Sequence, residues 1–91
     1  MKFEFQVSVS IEKATGEVEA VYFQIRRGKS AKVKEYADGS AFADYNASGD
    51  LLGIEVLAPC SVKVLDKIVK RNAVVKKFIR ASSPRQMVVM S

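Results

Sequence analysis

The apolar residues of this chain change their spacing at Pro59, and no other feature limits the fold so closely. In FEFQVSVSI, Phe3, Phe5, Val7, Val9 and Ile11 alternate with Glu4, Gln6, Ser8 and Ser10, the period of a half-buried strand. EVEAVYFQIR puts Val21, Phe23 and Ile25 on one face and Ala20 and Tyr22 on the other, apolar enough on both for a central strand. SAKVKEYA is more polar, and Lys32 and Lys34 suit it to a sheet edge, where charge discourages aggregation. Asp38-Gly39 signals a hairpin, and AFADY and LLGIEVLA read as two more strands joined by NASGD. Beyond Leu57 the spacing is helical. Pro59 ends the last strand, Ser61 is the expected N-cap, and Leu65, Ile68 and Val69 line one face of VKVLDKIVKR.

That apolar arc points about 100° away from the arc of Val74, Val75, Phe78 and Ile79. One straight helix cannot bury both, so a break is expected near Asn72, with Ser82-Ser83-Pro84 ending the second helix. RQMVVMS either frays or adds an apolar strand or partner contact. The expected fold is a single α+β domain over 1–91. A five-stranded antiparallel meander takes 1–58. A basic helical extension over 59–83 packs on it as one kinked or two short helices, and 84–91 form a tail.

Composition narrows the function classes. A chain of 91 residues, 48% of them hydrophobic, is one domain that buries roughly 60–65% of its unfolded surface and gains from oligomerising. No run approaches the roughly 18 apolar residues of a membrane span, and MKFEFQVSVSIEK lacks the pattern of a signal peptide. The lone Cys60 fits a reducing, cytoplasmic setting. It precedes the helical segment, but no histidine exists to activate it, and a structural thiol is expected rather than a catalytic one. The net charge of +5 is unevenly spread. Residues 1–59 hold seven basic and nine acidic side chains, whereas residues 60–91 hold eight basic ones and only Asp66 as an acid. Such asymmetry is a mark of a face that meets an anionic partner.

DYNASGDLLGIE, Asp44 to Glu55, matches an EF-hand calcium loop, with Asp44, Asn46, Ser48, Gly49 and Glu55 at its first, third, fifth, sixth and twelfth positions. The flanks argue otherwise. Asp38-Gly39 forbids a helix before the loop, Pro59 closes off one after it, and Leu52 occupies the ninth position. Asn, Ser, Gly and Asp also suit a hairpin turn, because they tolerate positive φ or bond the local backbone. A hairpin is expected, and Gly53 inside the strand beyond it signals a bulge or a close backbone approach.

Three segments, AVYFQI at 20–25, GKSAKVKEYADG at 28–39 and ADYNASGDLLGIEVL at 43–57, resemble a bacterial family known as domain of unknown function 2283. Its members read like A-L-Y-I-R-L, then G-K-x-A, a D-G pair, and D-Y-D-x-x-G-x-L-V-G-I-E-I-L. The matching positions are Tyr22, Ala31, Asp38, Gly39, Asp44, Tyr45, Gly49, Gly53, Ile54, Glu55 and Leu57, within residues 18–58. The resemblance implies a fold but no activity. The long N-terminal strand and the basic segment from residue 60 onward depart from the family's short form, so any function particular to this chain is expected in that extension.

Two constellations bear on function. Asp38, Asp44 and Glu55 could converge across neighbouring strands to hold a metal or move a proton; as turn and surface residues they would do neither. Lys63, Lys67, Lys70 and Lys77, with Arg71 at the margin, form a helical stripe that either contacts phosphates, solvates the outer face or docks on the acidic sheet. Phe78 is the one aromatic nearby and belongs to the apolar arc, and without tryptophan a membrane-surface role is not expected. The leading expectation is a non-catalytic interaction module without a cofactor, self-associating as a homodimer through Ala20, Tyr22, Met87 and Met90, or meeting another protein. The alternative is a nucleic-acid-binding regulator that uses the basic segment, and the third is a carboxylate-based metal-binding protein or enzyme.

Overall fold

A computed structural model describes residues 3–36, 39–57, 60–69, 72–82 and 88–89. Five antiparallel strands, β1 (Gln6–Ile11), β2 (Val18–Gln24), β3 (Lys32–Tyr36), β4 (Ala41–Tyr45) and β5 (Leu51–Leu57), are followed by helices α1 (Val62–Ile68) and α2 (Ala73–Ser82). A short parallel pair, β6 (Cys60–Ser61) and β7 (Val88–Val89), brings the chain end back beside the start of α1. No helix among the described residues is long and apolar enough to cross a membrane.

The expected antiparallel sheet and helix pair are present, but the strands do not run in sequence order. The order is β1-β2-β5-β4-β3, so β5 inserts beside β2 and the polar β3 goes to the edge. A sequential meander would have put β3 and its exposed Lys32 and Lys34 at the sheet centre. Edge placement and meander order are incompatible, and burial decides between them. Val21 and Phe23 of β2 face Val56 and Ile54 of β5 in register, and all four are fully buried.

Both helices pack on one face of this sheet. Leu65 and Val69 from the first, and Val75 and Ile79 from the second, join Val21, Phe23, Ile25, Ala41, Ile54 and Val56 in one core. Phe78 stacks on Phe5 with ring centroids 4.4 Å apart and meets Phe23 edge-on at 6.2 Å, clamping the N-terminal segment over the helix layer. The helix break falls where the two apolar arcs diverge. Asn72 then restarts the chain as an N-cap, its side-chain oxygen accepting the Val75 N–H at 3.0 Å, which contributes about 1 kcal/mol. Asp66 and Arg80 tie the two helices together at 2.8 Å.

Two burial expectations fail. Val74 is 55% exposed, so the apolar arc of α2 is narrower than its sequence suggested. Val7, Val9 and Ile11 alternate as expected but are 42%, 43% and 54% exposed, because the helices cover the middle of the sheet and leave the β1 edge open. The structure describes Ser61, Cys60 and Lys63 only through their backbone. Asp38, Pro59, Lys70, Arg71, Met87 and Met90 lie outside the described residues.

Candidate functional site

The face of the sheet turned away from the helices collects five of the motif residues, Tyr22, Asp44, Gly53, Glu55 and Leu57. Strand register places Tyr22 opposite Glu55, and Gly53 opposite both Gln24 and Asp44. Phe42 faces Glu55 from the other side, and Ala20 faces Leu57. Val33 sits opposite Asp44 on the edge strand. With alternating strand faces, Ala20, Tyr22, Val33, Phe42, Asp44, Gly53, Glu55 and Leu57 therefore share one surface.

At its centre the Tyr22 ring lies diagonally across Gly53. A Cβ at residue 53 would overlap Cζ and Oη of that ring and would stand 3.0 Å from the Phe23 carbonyl oxygen. This is the close approach that an in-strand glycine signals, and its partner is an aromatic ring. Burial pushes the Tyr22 phenol above its ordinary value, and the negative charges of Asp44 and Glu55 push the same way. The Ser30 hydroxyl donates to Asp44 Oδ1, holding that carboxylate at the rim. At neutral pH Tyr22 is accordingly a protonated hydrogen-bonding group, and the site presents a phenol flanked by two acids. Asp44 and Glu55 stand diagonally on adjacent strands, about 7–8 Å apart at Cα for that relationship. Among the described residues no three His, Cys, Asp or Glu side chains come together as a metal would require.

The calcium-like stretch is a hairpin. Asn46 and Asp50 close it with an N–H to C=O bond of 3.0 Å, and the Gly49 N–H bonds the Asn46 carbonyl at 3.0 Å. The Asn46 side-chain oxygen accepts the N–H groups of Ser48 and Asp50 at 3.0 and 2.9 Å. Gly49 has φ +88°, a conformation that glycine adopts without steric cost. These bonds occupy Asn46 in turn formation, and Glu55 points out from the middle of β5. Gly39 lies in the turn between β3 and β4.

A second polar group, Arg26, is one that the sequence reading did not single out. Arg26 lies over the Phe3 ring at 5.0 Å and pairs with Asp50 at 3.8 Å. It borders a cleft of about 290 Å³ between the β4–β5 hairpin and the helix break, with Asn72 and Val75 on the far wall. The signal was available only in retrospect, since it depends on the hairpin folding back beside Asn72.

Of the basic stripe, Lys67 on α1 and Lys77 on α2 are exposed; Lys76 on α2, which the stripe did not include, is half-buried. Among the described residues their side chains have no ion-pair partner. The ion pairs among the described residues lie within one layer, Glu4 with Arg27 and Asp50 with Arg26 in the sheet, Asp66 with Arg80 between the helices. Among the described residues, no sheet carboxylate forms an ion pair with Lys67 or Lys77. Comparison with protein-family models, with curated proteins and with solved structures returned no match.

Proposed function

We propose that this chain is a non-catalytic interaction module that works as a homo-oligomer in a cytoplasmic setting. One observation carries the reading. The helices cover a single face and the middle of the sheet, leaving Val7, Val9, Ile11, Val33 and Leu57 each at least 40% exposed. Uncovered apolar surface of this kind on a small domain favours association. The resemblance to the family of unknown function belongs to the same proposal, since its positions Tyr22, Asp44, Gly53 and Glu55 would then define a surface rather than a catalytic centre. Sedimentation velocity from low to high micromolar concentration tests the reading. A mass rising toward two chains is expected; a monomer across the whole range overturns it.

A second reading keeps nucleic acid as partner, favoured by the exposed Lys67 and Lys77 and the half-buried Lys76, none of which has an ion-pair partner among the described residues. If these three contact phosphates, binding should weaken roughly forty-fold between about 50 and 200 mM salt. Fluorescence anisotropy with labelled duplex DNA and single-stranded RNA measures this directly. Loss of binding in Lys67→Ala/Lys76→Ala/Lys77→Ala would move this reading ahead, and no binding at low salt would remove it.

A further inference from the structure

We propose that two copies of this chain pair through their β1 edges, antiparallel with Val9 opposite Val9, to form one continuous ten-stranded sheet. The inference rests on the self-association reading above and specifies its surface.

The first support is where the backbone of β1 points. The Leu57 N–H of β5 bonds the Ser40 carbonyl on the β4 side at 2.8 Å, so odd-numbered residues of β5 face β4 and even-numbered ones face β2. Their register partners Val21 and Phe23 face β5, and the even-numbered residues of β2 face β1. Gln6, Ser8 and Ser10 stand opposite those even residues and turn their own backbone groups inward. Glu12 does the same, its N–H bonding the Glu17 carbonyl at 2.8 Å. Val7, Val9 and Ile11 therefore direct their N–H and C=O groups to the outer edge. The same three residues carry the exposed apolar stripe, at 42%, 43% and 54%. Backbone valence and apolar surface coincide on one strand edge.

The second support is the contrast between the two edges. An edge strand that must stay single is guarded by charge, proline or a bulge. The β3 edge, KVKEY, is guarded: each face-matched way of pairing it with itself sets like charges opposite, Lys34 on Lys34, Lys32 on Lys34, or Glu35 on Glu35. The β1 edge, QVSVSI, carries no charge and no proline, and the register shift at Ser10/Ile11 skips Glu19 on β2, so the extra residue is not on the edge strand. Pairing about Val9 sets Val7 against Ile11 on both sides of the axis and Ser8 against Ser10, with Gln6 against Glu12. No like charges meet, and every exposed apolar side chain of the strand finds an apolar one across the junction.

The symmetry also fits. Antiparallel pairing of identical edges requires a two-fold axis perpendicular to the sheet, which puts the helices of both copies on one side. The two valine stripes then lie side by side between the helix layers, and the faces bearing Tyr22 and Leu57 join into one broad surface. A strand pair of this length is smaller than a standard interface of about 800 Å² per partner, so association is expected to reverse on dilution.

Sedimentation velocity on four variants tests the pairing. Val9→Lys places like charges across the axis and should raise the dissociation constant by about tenfold or more. Val9→Pro removes only an outward N–H, which an edge strand tolerates, and should abolish pairing while the circular dichroism spectrum stays that of wild type. Mixing Val9→Lys with Val9→Glu should restore a dimer containing one chain of each. Leu57→Lys, on the open face, should leave the wild-type dimer intact. A wild-type dimer that survives both Val9→Lys and Val9→Pro, or that Leu57→Lys disrupts, overturns the edge pairing while self-association stands. A wild-type chain that stays monomeric overturns the self-association reading as well.

Discussion

Replacing Phe23 by alanine is expected to lower the folding free energy by about 3–5 kcal/mol, the largest loss from any single truncation in this sheet. Phe23 is fully buried, lies in register between Val7 on β1 and Ile54 on β5, and meets Phe78 edge-on across the helix interface. Truncation leaves a void bounded by two strands and a helix, none of which can close it without shifting the others. At about 0.05–0.15 kcal/mol per residue, a chain of 91 residues has roughly 5–14 kcal/mol in total, so the variant would keep little margin. Urea denaturation followed by circular dichroism reads the change as a lower midpoint at unchanged slope. A loss below about 1 kcal/mol would mean that the β2–β5 junction is not packed as described.

The second large effect is expected from Gly53→Val, at about 2–3 kcal/mol, and it should depend on residue 22. The new Cβ takes the space of the Tyr22 ring tip and crowds the Phe23 carbonyl, so the ring must swing into solvent. In a Tyr22→Ala background the same substitution should cost less than half as much, because only the backbone contact remains. The phenol offers an independent readout. Its pKa is raised first by burial, so stability linked to it is present below the ordinary tyrosine pKa and is lost as pH rises past the elevated value. Releasing the ring removes most of that dependence. An alkaline titration at 295 nm should therefore show Tyr22 ionising earlier in Gly53→Val than in wild type. Equal penalties in both backgrounds would show that the ring and the glycine are not coupled.

Much of the architecture can be read from periodicity, and its limits are physical. Alternation in FEFQVSVSI shows which residues share a face, but whether a face is covered depends on the reach of helices encoded 50 residues later. Val7 and Val9 are exposed for that reason. The sheet order was not legible because adjacency in sequence is only a tendency. The decisive terms, the lysines of β3 and the matched apolar runs of β2 and β5, had to be weighed together. The helix break was legible from two conflicting arcs, yet the residue that restarts the chain, Asn72, was named only as a position. At the open face, glycine in a strand announced a close approach. That Tyr22 fills it follows from a diagonal relation between strands 29 residues or more apart, which no local pattern encodes.

The insertion of β5 beside β2 sets a timetable for a nascent chain. The β1–β2 hairpin emerges first, but Val21 and Phe23 have no companion strand until residues 51–57 follow. At about 5–20 residues per second, that is a delay of roughly two to seven seconds. The two helices come later still, so the lining of the core is complete only when almost the whole chain has been made. Until residues 51–57 arrive the β1–β2 hairpin waits with one flank open, and the inner face of the sheet stays bare until the last third of the sequence supplies the helices.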